Sequence, residues 1–325
     1  MARKIVCTVL TTIVILALAT SCGHDADPLL VSNAASVEIP CLVEQYDGRA
    51  VYKGSWSPNS QNIIYDETAP EMVDEGALLY YCLWDANERL ILNTEHYTLA
   101  DNSSLEPVVS YIYGTLYFRD YSLEADGKNL VLRSPTEHIE IPCQDRVVQI
   151  DSQSVPLYQL QRCCFSVQDG ILYILHYSMK NSKDRFFLSS VNLTTKEIDI
   201  EILDVDYSDR EIATAPDALN SIATPNYFYF FGGHRVYKVS VKDKSVSVVY
   251  DLLPENAEYD YHMEHFSRIY YYDDYLILEK IQHDQSPNSE RSALVISTSG
   301  EFISNIYWNE DIYICFPNLA QGDAE

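Results

Sequence analysis

The sequence predicts an all-β, propeller-like chain with about five to six blades of short antiparallel strands. The chain contains 26 tyrosines and only 10 phenylalanines, and tyrosine and β-branched residues suit half-buried, pleated surfaces. Short apolar runs recur between turn residues, and helical periodicity is absent after residue 22. Five of these runs begin at residues 76, 114, 170, 226 and 274, with spacings of 38, 56, 56 and 48 residues. Repeats of about 40–50 residues that contain several strands are typical of propeller blades.

The first element is a leader. Arg3 and Lys4 precede an uncharged, mostly apolar run from Ile5 to Ala19, and small residues follow around Cys22. This is the form of a secretory signal peptide, and the run is shorter than the roughly 17–25 residues of a spanning helix. The cysteine that follows Thr-Ser resembles the lipobox of bacterial lipoproteins, although Ala19 stands where leucine is usual.

This resemblance implies that the Cys22 thiol carries a diacylglycerol, that the chain is cut before Cys22, and that the new amine is acylated. Residues 1–21 are then the signal peptide and residues 22–35 the lipidated cysteine and a flexible tether. Residues 36–325 are predicted to form a single propeller-like domain. The alternative is an ordinary signal cut after Ala19 or Ser21, which leaves Cys22 as a free thiol or a disulfide partner.

Each repeat is predicted to contain a first apolar strand, a second strand, a tight polar turn and a third strand. Asp-Gly and Ser-Gly in these turns favour hairpins, since glycine adopts positive φ without a Cβ clash. The first strands are GALLYY at 76–81, GTLYF at 114–118, GILYI at 170–174, NYFYFF at 226–231 and DYLIL at 274–278. The turns are DANE at 85–88, DGK at 126–128, TTKE at 194–197, KDK at 242–244 and TSG at 298–300.

A sixth repeat is predicted from residues 37–66 together with the last strand, from Ile312 to Phe316. Its WSPNSQNIIY run at 56–65 resembles the repeat of TolB-like β-propellers, with Asn59 and Ser60 in place of aspartate and glycine. A blade shared by both termini would close the ring. A pair of β-sandwiches or an irregular β-solenoid remains the alternative architecture.

The composition and net charge of the chain limit the classes of partner and site that it can have. The hydrophobic content of 47% suits a folded core, and a formal charge of −26 should repel nucleic acid and anionic lipid surfaces. Six further cysteines allow 15 disulfide connectivities, and no CxxC spacing supports a zinc or thioredoxin-like site. Cys163 and Cys164 lie in an apolar run, which favours two buried small residues over a redox pair. The six are Cys41, Cys82, Cys143, Cys163, Cys164 and Cys315.

Four polar segments are candidates for chemistry, and for each an ordinary loop or turn is the favoured interpretation. His262 and His265 flank Glu264, but extended geometry sends the two histidines to opposite faces. The first of two acidic segments lacks the glycine of an EF-hand loop. The second, together with Tyr259 and Tyr261, could line a sugar-binding or cation-binding rim. GGHR at 232–235 fits a hairpin turn and no phosphate loop. The acidic segments contain Asp204, Asp206, Asp209 and Glu211, and Asp251, Glu255, Glu258 and Asp260.

The sequence therefore predicts an exported protein anchored to the cell membrane or envelope through Cys22, with no nucleic-acid partner, cofactor, metal site or catalytic residue indicated. The favoured function is a binding or interaction module for an extracellular ligand or an envelope protein. The alternatives are a structural subunit of an envelope complex and a carboxylate-dependent enzyme acting on extracellular glycan or peptide. No GxSxG, HExxH or dinucleotide-binding motif indicates an enzyme.

Overall fold

A computed structural model describes seventeen stretches of the chain, all within the compact unit Glu38–Glu325. These are residues 38–45, 50–57, 63–66, 68, 72–73, 83–84, 90–91, 98–99, 116–119, 121–150, 153–180, 183–205, 221–232, 234–252, 265–281, 291–308 and 312–316. Within these stretches the regular structure is antiparallel β-sheet, with one 3-10 turn at Leu157–Gln159. The predicted all-β class is confirmed.

Four sheets have the form of propeller blades, in which four strands consecutive in the chain are also neighbours in the sheet. Blade I contains β8 Leu116–Phe118, β9 Tyr121–Asp126, β10 Asn129–Arg133 and β11 His138–Pro142. Blade II contains β14 Gln161–Gln168, β15 Ile171–Lys180, β16 Lys183–Asn192 and β17 Ile198–Leu203. Blade III contains β18 Ser221–Ala223, β19 Tyr227–Gly232, β20 Arg235–Ser240 and β21 Val246–Asp251. Blade IV contains β22 His265–Tyr272, β23 Tyr275–Ile281, β24 Arg291–Ser297 and β25 Phe302–Trp308.

The terminal sheet joins both ends of the domain, as the sequence predicts. Its strand order is β26-β1-β2-β4-β7, with β3 also paired to β2. Residue pairs such as Val43 with Ile314 fix the register between the first and the last strand. These strands are β26 Ile312–Cys315, β1 Ile39–Gln45, β2 Ala50–Trp56, β3 Ile63–Tyr65, β4 Met72–Val73 and β7 Thr98–Leu99.

Two hairpins complete the described strands. The inserted hairpin, β12 Val147–Ile150 with β13 Gln153–Pro156, lies between blades I and II. The second hairpin pairs β5 Leu83–Trp84 with β6 Leu90–Ile91, where the first predicted repeat lies. Residues 76–82 of that repeat are outside the described residues.

The first strand of each blade is the inner strand of the structure. β14 contacts both β8 and β18, and β18 contacts β22, so the first strands of consecutive blades are neighbours. β18 is buried throughout, whereas the fourth strand β21 has no buried residue. This gradient from a buried first strand to an exposed fourth strand is the arrangement of blades around an axis.

The aromatic strand β19 shows why the blades pack on both faces. Successive side chains of a strand point to opposite faces, and the ring of Phe230 stacks on Phe186 of blade II with centroids 4.5 Å apart. The next residue, Phe231, meets Phe266 of blade IV edge-on at 5.9 Å. An uninterrupted aromatic run is therefore the pattern of a strand buried between two neighbouring blades.

The second predicted repeat is out of phase with the others. GTLYF at 114–118 contains the first strand of blade I, whereas GILYI, NYFYFF and DYLIL contain the second strands of their blades. The second strands of the four blades begin at Tyr121, Ile171, Tyr227 and Tyr275, each directly after the first hairpin turn, and these positions mark the true repeat. The misassignment arose because β8 is as aromatic as the second strands with which it was aligned.

Candidate functional site at the loop-bearing end

Each blade has two ends that differ in their connections. We call the end where short turns join the first to the second strand and the third to the fourth strand the turn end. Here the turn between the first and second strands is hydrogen-bonded to the turn after the third strand. The amide of Leu193 donates to the carbonyl oxygen of Gly170 at 2.9 Å, and that of Val241 to Asn226 at 3.0 Å. The same bond in blade IV joins Thr298 to Asp274 at 2.9 Å. Short turns bonded in this way leave little backbone free for a ligand.

The opposite end is the loop-bearing end. In an up-and-down sheet the first strand begins and the fourth strand ends at the same edge. The strand ends that are joined by residues 206–220, 253–264 and 282–290 therefore all lie at this end. Binding residues of folds built on a rigid scaffold concentrate where the long connections meet. A binding site is therefore expected at the loop-bearing end.

Two inner strands are irregular near this end. The register of β14 against β15 shifts between Arg162 and Cys164, and that of β22 against β23 shifts between Phe266 and Arg268. The extra residue, Cys163 in one strand and Ser267 in the other, occupies the same place relative to the turn that follows. A β-bulge bends the strand and changes the direction of its side chains, and bulges are frequent beside functional sites.

Arg162 is the unusual residue of the first bulged strand. It is paired across the sheet with His176, which is fully buried and whose Nε2 lies 2.8 Å from the Ser189 Oγ. Burial, with repulsion from Arg162 as the lesser cause, lowers the pKa of His176 to about 3. Burial also lowers the pKa of the Arg162 guanidinium, an effect that the nearby Cys143 opposes. An arginine in an otherwise apolar run was the sequence signal for this cluster, and our sequence analysis missed it.

The His176–Ser189 pair has the spacing of a base and a nucleophile, but its surroundings do not suit catalysis. Both residues are fully buried. Within the described part of the chain, Nδ1 of His176 has no hydrogen-bond partner to orient the ring, whereas a catalytic base is oriented by a third group. The pair therefore acts as a buried hydrogen bond in blade II.

The four cysteines whose burial is described are all buried: Cys41, Cys143, Cys163 and Cys164. Burial raises the pKa of the thiols of Cys143 and Cys164. A thiol with a raised pKa is a poor nucleophile at neutral pH. The prediction that Cys163 and Cys164 are buried small residues agrees with this placement.

A second polar group lies at the loop-bearing end of blade III. Asp251, in the last position of β21, accepts from the Nε of Arg235 at 2.8 Å, and its other oxygen lies 3.5 Å from Nε2 of His234. His234 is 5% exposed, and burial lowers its pKa against the attraction of Asp251. Gly232 pairs with Arg235, so GGHR is the predicted hairpin turn.

A third polar group lies on the second bulged strand, where blade IV meets the terminal sheet. The Arg268 Nε is 3.8 Å from the Glu279 carboxylate, and both side chains are 14% exposed. The Tyr270 hydroxyl donates to the same carboxylate at 3.5 Å, and its ring meets Phe316 edge-on at 5.6 Å. Tyr270 thus contacts both the Arg268–Glu279 pair of blade IV and Phe316, the residue that follows the last strand.

Most of the polar segments that the sequence indicates as candidates lie outside the described residues. Cys22 and residues 206–220 and 253–264 are outside the described residues, and His265 is the first residue of β22. Asp204 is exposed, and Asp251 belongs to the group described above. Among the described residues, no group of three histidine, cysteine or carboxylate side chains is placed to hold a metal ion. Nor does any helix in these stretches have the length and hydrophobicity of a membrane span.

Comparisons with known proteins yield structural likeness alone. No protein family and no curated protein matches the sequence. An ACO/RPE65 chimera matches 83% of the chain at 8% identity with a TM-score of 0.35, and the matched part spans 61% of the chimera. AztD of Citrobacter koseri matches 85% of the chain and 74% of its own length at 11% identity, with a TM-score of 0.34.

The extracellular domain of the putative one-component system BT4673 from B. thetaiotaomicron is also similar in structure. It matches 91% of the chain and 43% of its own length, at 11% identity and a TM-score of 0.34. These likenesses are distant. The propeller-like assignment therefore depends on the strand order and the inner-strand contacts of this chain.

Proposed function

We propose that this chain is a lipid-anchored, extracytoplasmic bacterial protein that acts as a binding module, with its ligand at the loop-bearing end of the blades. The difference between the two ends supports this proposal. Hydrogen-bonded short turns close the turn end. The bulged inner strands and the groups around Arg162 and His234 lie towards the other end. Ligands of scaffold folds bind where such connections converge.

The anchor is tested separately from the ligand. Full-length protein produced in a bacterial host should enter the detergent phase of a Triton X-114 extraction, and its mass should include a diacylglycerol on Cys22. The Cys22→Ser variant should move to the aqueous phase, because two or more buried acyl chains hold a protein firmly on a membrane. Aqueous partitioning of both proteins would refute the anchor.

The ligand is sought with a thermal-shift screen of the full chain in nonionic detergent. The panel contains calcium, glycans, peptidoglycan fragments and peptides. A ligand at 100 times its dissociation constant stabilises the folded state by about 2.7 kcal/mol, which raises the melting temperature of a large domain by several degrees. A saturable shift supports the binding module, and a flat panel contradicts the proposal of a soluble ligand.

One observation favours a second role, that of a structural subunit. The fourth strands of three blades and strand β3 of the terminal sheet expose large apolar side chains to solvent. Apolar side chains on the outer strands would be removed from water if a partner protein covered those strands. Cross-linking in intact cells followed by mass spectrometry would identify a constant envelope partner if this role is correct. The exposed side chains are Ile64, Ile202, Val248, Phe302 and Tyr307.

A further inference from the structure

The fourth strand is the outer edge of each blade, and its composition differs between the blades. Among the described strands, none pairs with the outer side of a fourth strand. One row of its backbone N–H and C=O groups is therefore available to a strand of another chain, and proteins commonly prevent such pairing with charged side chains, prolines or bulges. The fourth strands are β11 HIEIP, β17 IDIEIL, β21 VSVVYD and β25 FISNIYW.

The edges of blades I to III carry this protection. β11 contains Glu140 and ends at Pro142. β17 contains the exposed carboxylates of Asp199 and Glu201. β21 contains Asp251, and its register against β20 shifts within the strand, which bends the edge. These three strands are therefore poor templates for an added strand.

The edge of blade IV is different. The seven residues of β25, Phe302–Trp308, include no charged residue, no proline and no glycine. Its bulge, at Ile303, lies near the start of the strand, and the five residues that follow pair one to one with β24. An uncharged segment of this length that is rich in aromatic and β-branched side chains pairs readily with other strands.

The exposure of its side chains agrees with an edge that is open to a partner. Phe302 and Tyr307, which lie near the two ends of β25, are 51% and 52% exposed. Ile306 and Trp308 are buried, so the strand is held to the domain through its other face. A strand added to β25 would pack its own side chains beside the two exposed rings.

Asn305, in the middle of β25, carries a polar atom without a partner. Its Oδ1 is buried and accepts no hydrogen bond within the described part of the chain. Its neighbour across the sheet is Leu294, which is apolar. A strand on the free side of β25 would bring a side chain of its own beside Asn305. A serine or threonine in that position could donate the missing hydrogen bond.

The charges around β25 favour a cationic partner over a second copy of this chain. Glu301 directly precedes the strand and is exposed, and Glu310 and Asp311 follow it in the sequence. Pairing of two copies through β25 would bring like charges together at both ends of the strand, in a chain whose net charge is −26. A segment with lysine or arginine at both ends would instead meet opposite charges there.

We infer that the outer edge of β25 is the docking edge for an extended segment of a partner protein, which adds to blade IV as a fifth strand. The segment alternates apolar and hydroxyl side chains and carries lysine or arginine at both ends. Main-chain hydrogen bonds supply the affinity of such strand addition, and alternate side chains supply its specificity. The inference rests on the second role proposed above, that of a structural subunit, and gives that role a surface and a kind of partner.

The test is fluorescence anisotropy of labelled peptides that are titrated with the full chain in nonionic detergent. The probe is KTVTVTVTK, which places a seven-residue strand between two lysines. We expect saturable binding with a dissociation constant on the order of 100 μM, because seven residues are about a third of one side of a standard interface. ETVTVTVTE should bind at least fivefold more weakly at low ionic strength, and KTVTPTVTK should not bind, because proline removes a main-chain donor and disrupts the strand.

The decisive comparison uses two double variants that each add two positive charges. F302K/Y307K changes the two exposed rings of β25, and Q144K/V147K changes two exposed residues at the start of the inserted hairpin. We expect the first to bind KTVTVTVTK about tenfold more weakly, because two side-chain contacts are lost and like charges are introduced. The second should change the affinity by less than about twofold. Circular dichroism and melting temperature verify that both variants fold.

Hydrogen exchange measured by mass spectrometry tests the mode of binding. The probe should slow exchange of the amides in residues 302–308 of the wild-type chain, since main-chain pairing protects the edge. Binding without this protection would contradict strand addition.

Four further outcomes would overturn the inference. They are no saturable binding of KTVTVTVTK, equal binding of ETVTVTVTE, equal weakening by the two variants, and a concentration-dependent dimer that F302K/Y307K abolishes, which would make a second copy the occupant. If cross-linking in cells recovers a constant partner whose capture F302K/Y307K does not reduce, the docking edge is wrong and the structural role stands. If neither a partner nor the probe is found to bind, both fail.

Discussion

Acid should unfold this protein through His176, and the size of the effect follows from its burial. The side chain is fully buried, its pKa is lowered to about 3, and an unfolded histidine titrates near 6.5. Between these values the unfolded chain binds a proton at this site that the folded chain does not bind. The free energy of unfolding therefore falls as pH decreases below about 6.5, and this loss stops near pH 3.

The magnitude is about 1.36 kcal/mol for each pH unit in that window. Between pH 7 and pH 4.5 this one group therefore lowers the free energy of unfolding by about 2 to 3 kcal/mol. The assay is urea denaturation at pH 7 and pH 4.5, with the free energies extrapolated to water. His176→Gln is the matched variant, because glutamine can place a polar atom near Nε2 and keep the bond to Ser189 while it does not titrate.

We expect the wild-type protein to lose about 2 to 3 kcal/mol more than His176→Gln between the two pH values. Other carboxylates and histidines contribute equally to both proteins and cancel in the difference. A difference below about 1 kcal/mol would refute the reasoning, since the pKa of His176 would then lie near its ordinary value.

Three further predictions concern the packing of the blades, and each is measured by urea denaturation unless stated otherwise. Gly300→Ala should destabilise the fold by about 3 kcal/mol or more, because φ is +93° and a Cβ would lie 2.1 Å from a carbonyl oxygen of β21. The control is Gly127→Ala, which should cost about 1 kcal/mol, because φ is +59° but the space around the added Cβ is open. Phe230→Ala should lower the free energy of unfolding by about 3–5 kcal/mol, as it removes the stack with Phe186, and an effect below about 1 kcal/mol would contradict the packing of blades II and III. Deletion of residues 312–325 should expose the edge of β1, and light scattering should detect aggregation that the full chain does not show.

Local patterns predicted the strands well, because each depends on residues close in sequence. Alternation and turn residues located the hairpins, and the aromatic run at 227–231 indicated a strand without showing that both its faces are buried. The shared terminal sheet was predicted from a general requirement, the closure of open edges, and the pairing of β1 with β26 confirms it.

The polar groups were not predictable in the same way. The sequence shows Arg162 and His176 fourteen residues apart, and only the register of β14 against β15 makes them neighbours. A bulge at Cys163 sets that register, and a bulge has no reliable sequence signal when the extra residue is not glycine. The sequence instead indicated clusters of like residues as candidate sites, such as the two acidic segments, because their members are close together in the chain.

Part of the negative charge of the chain lies at a contact between neighbouring blades. In blade II the carboxylates of β17 have a partner in Lys244, which helps to hold blades II and III together at their outer strands. Acidic residues of β17 thus contribute to the contact between blades II and III. Because both carboxylates are exposed, each pair contributes at most about 1 kcal/mol, and the apolar contacts between the blades remain the main source of their cohesion.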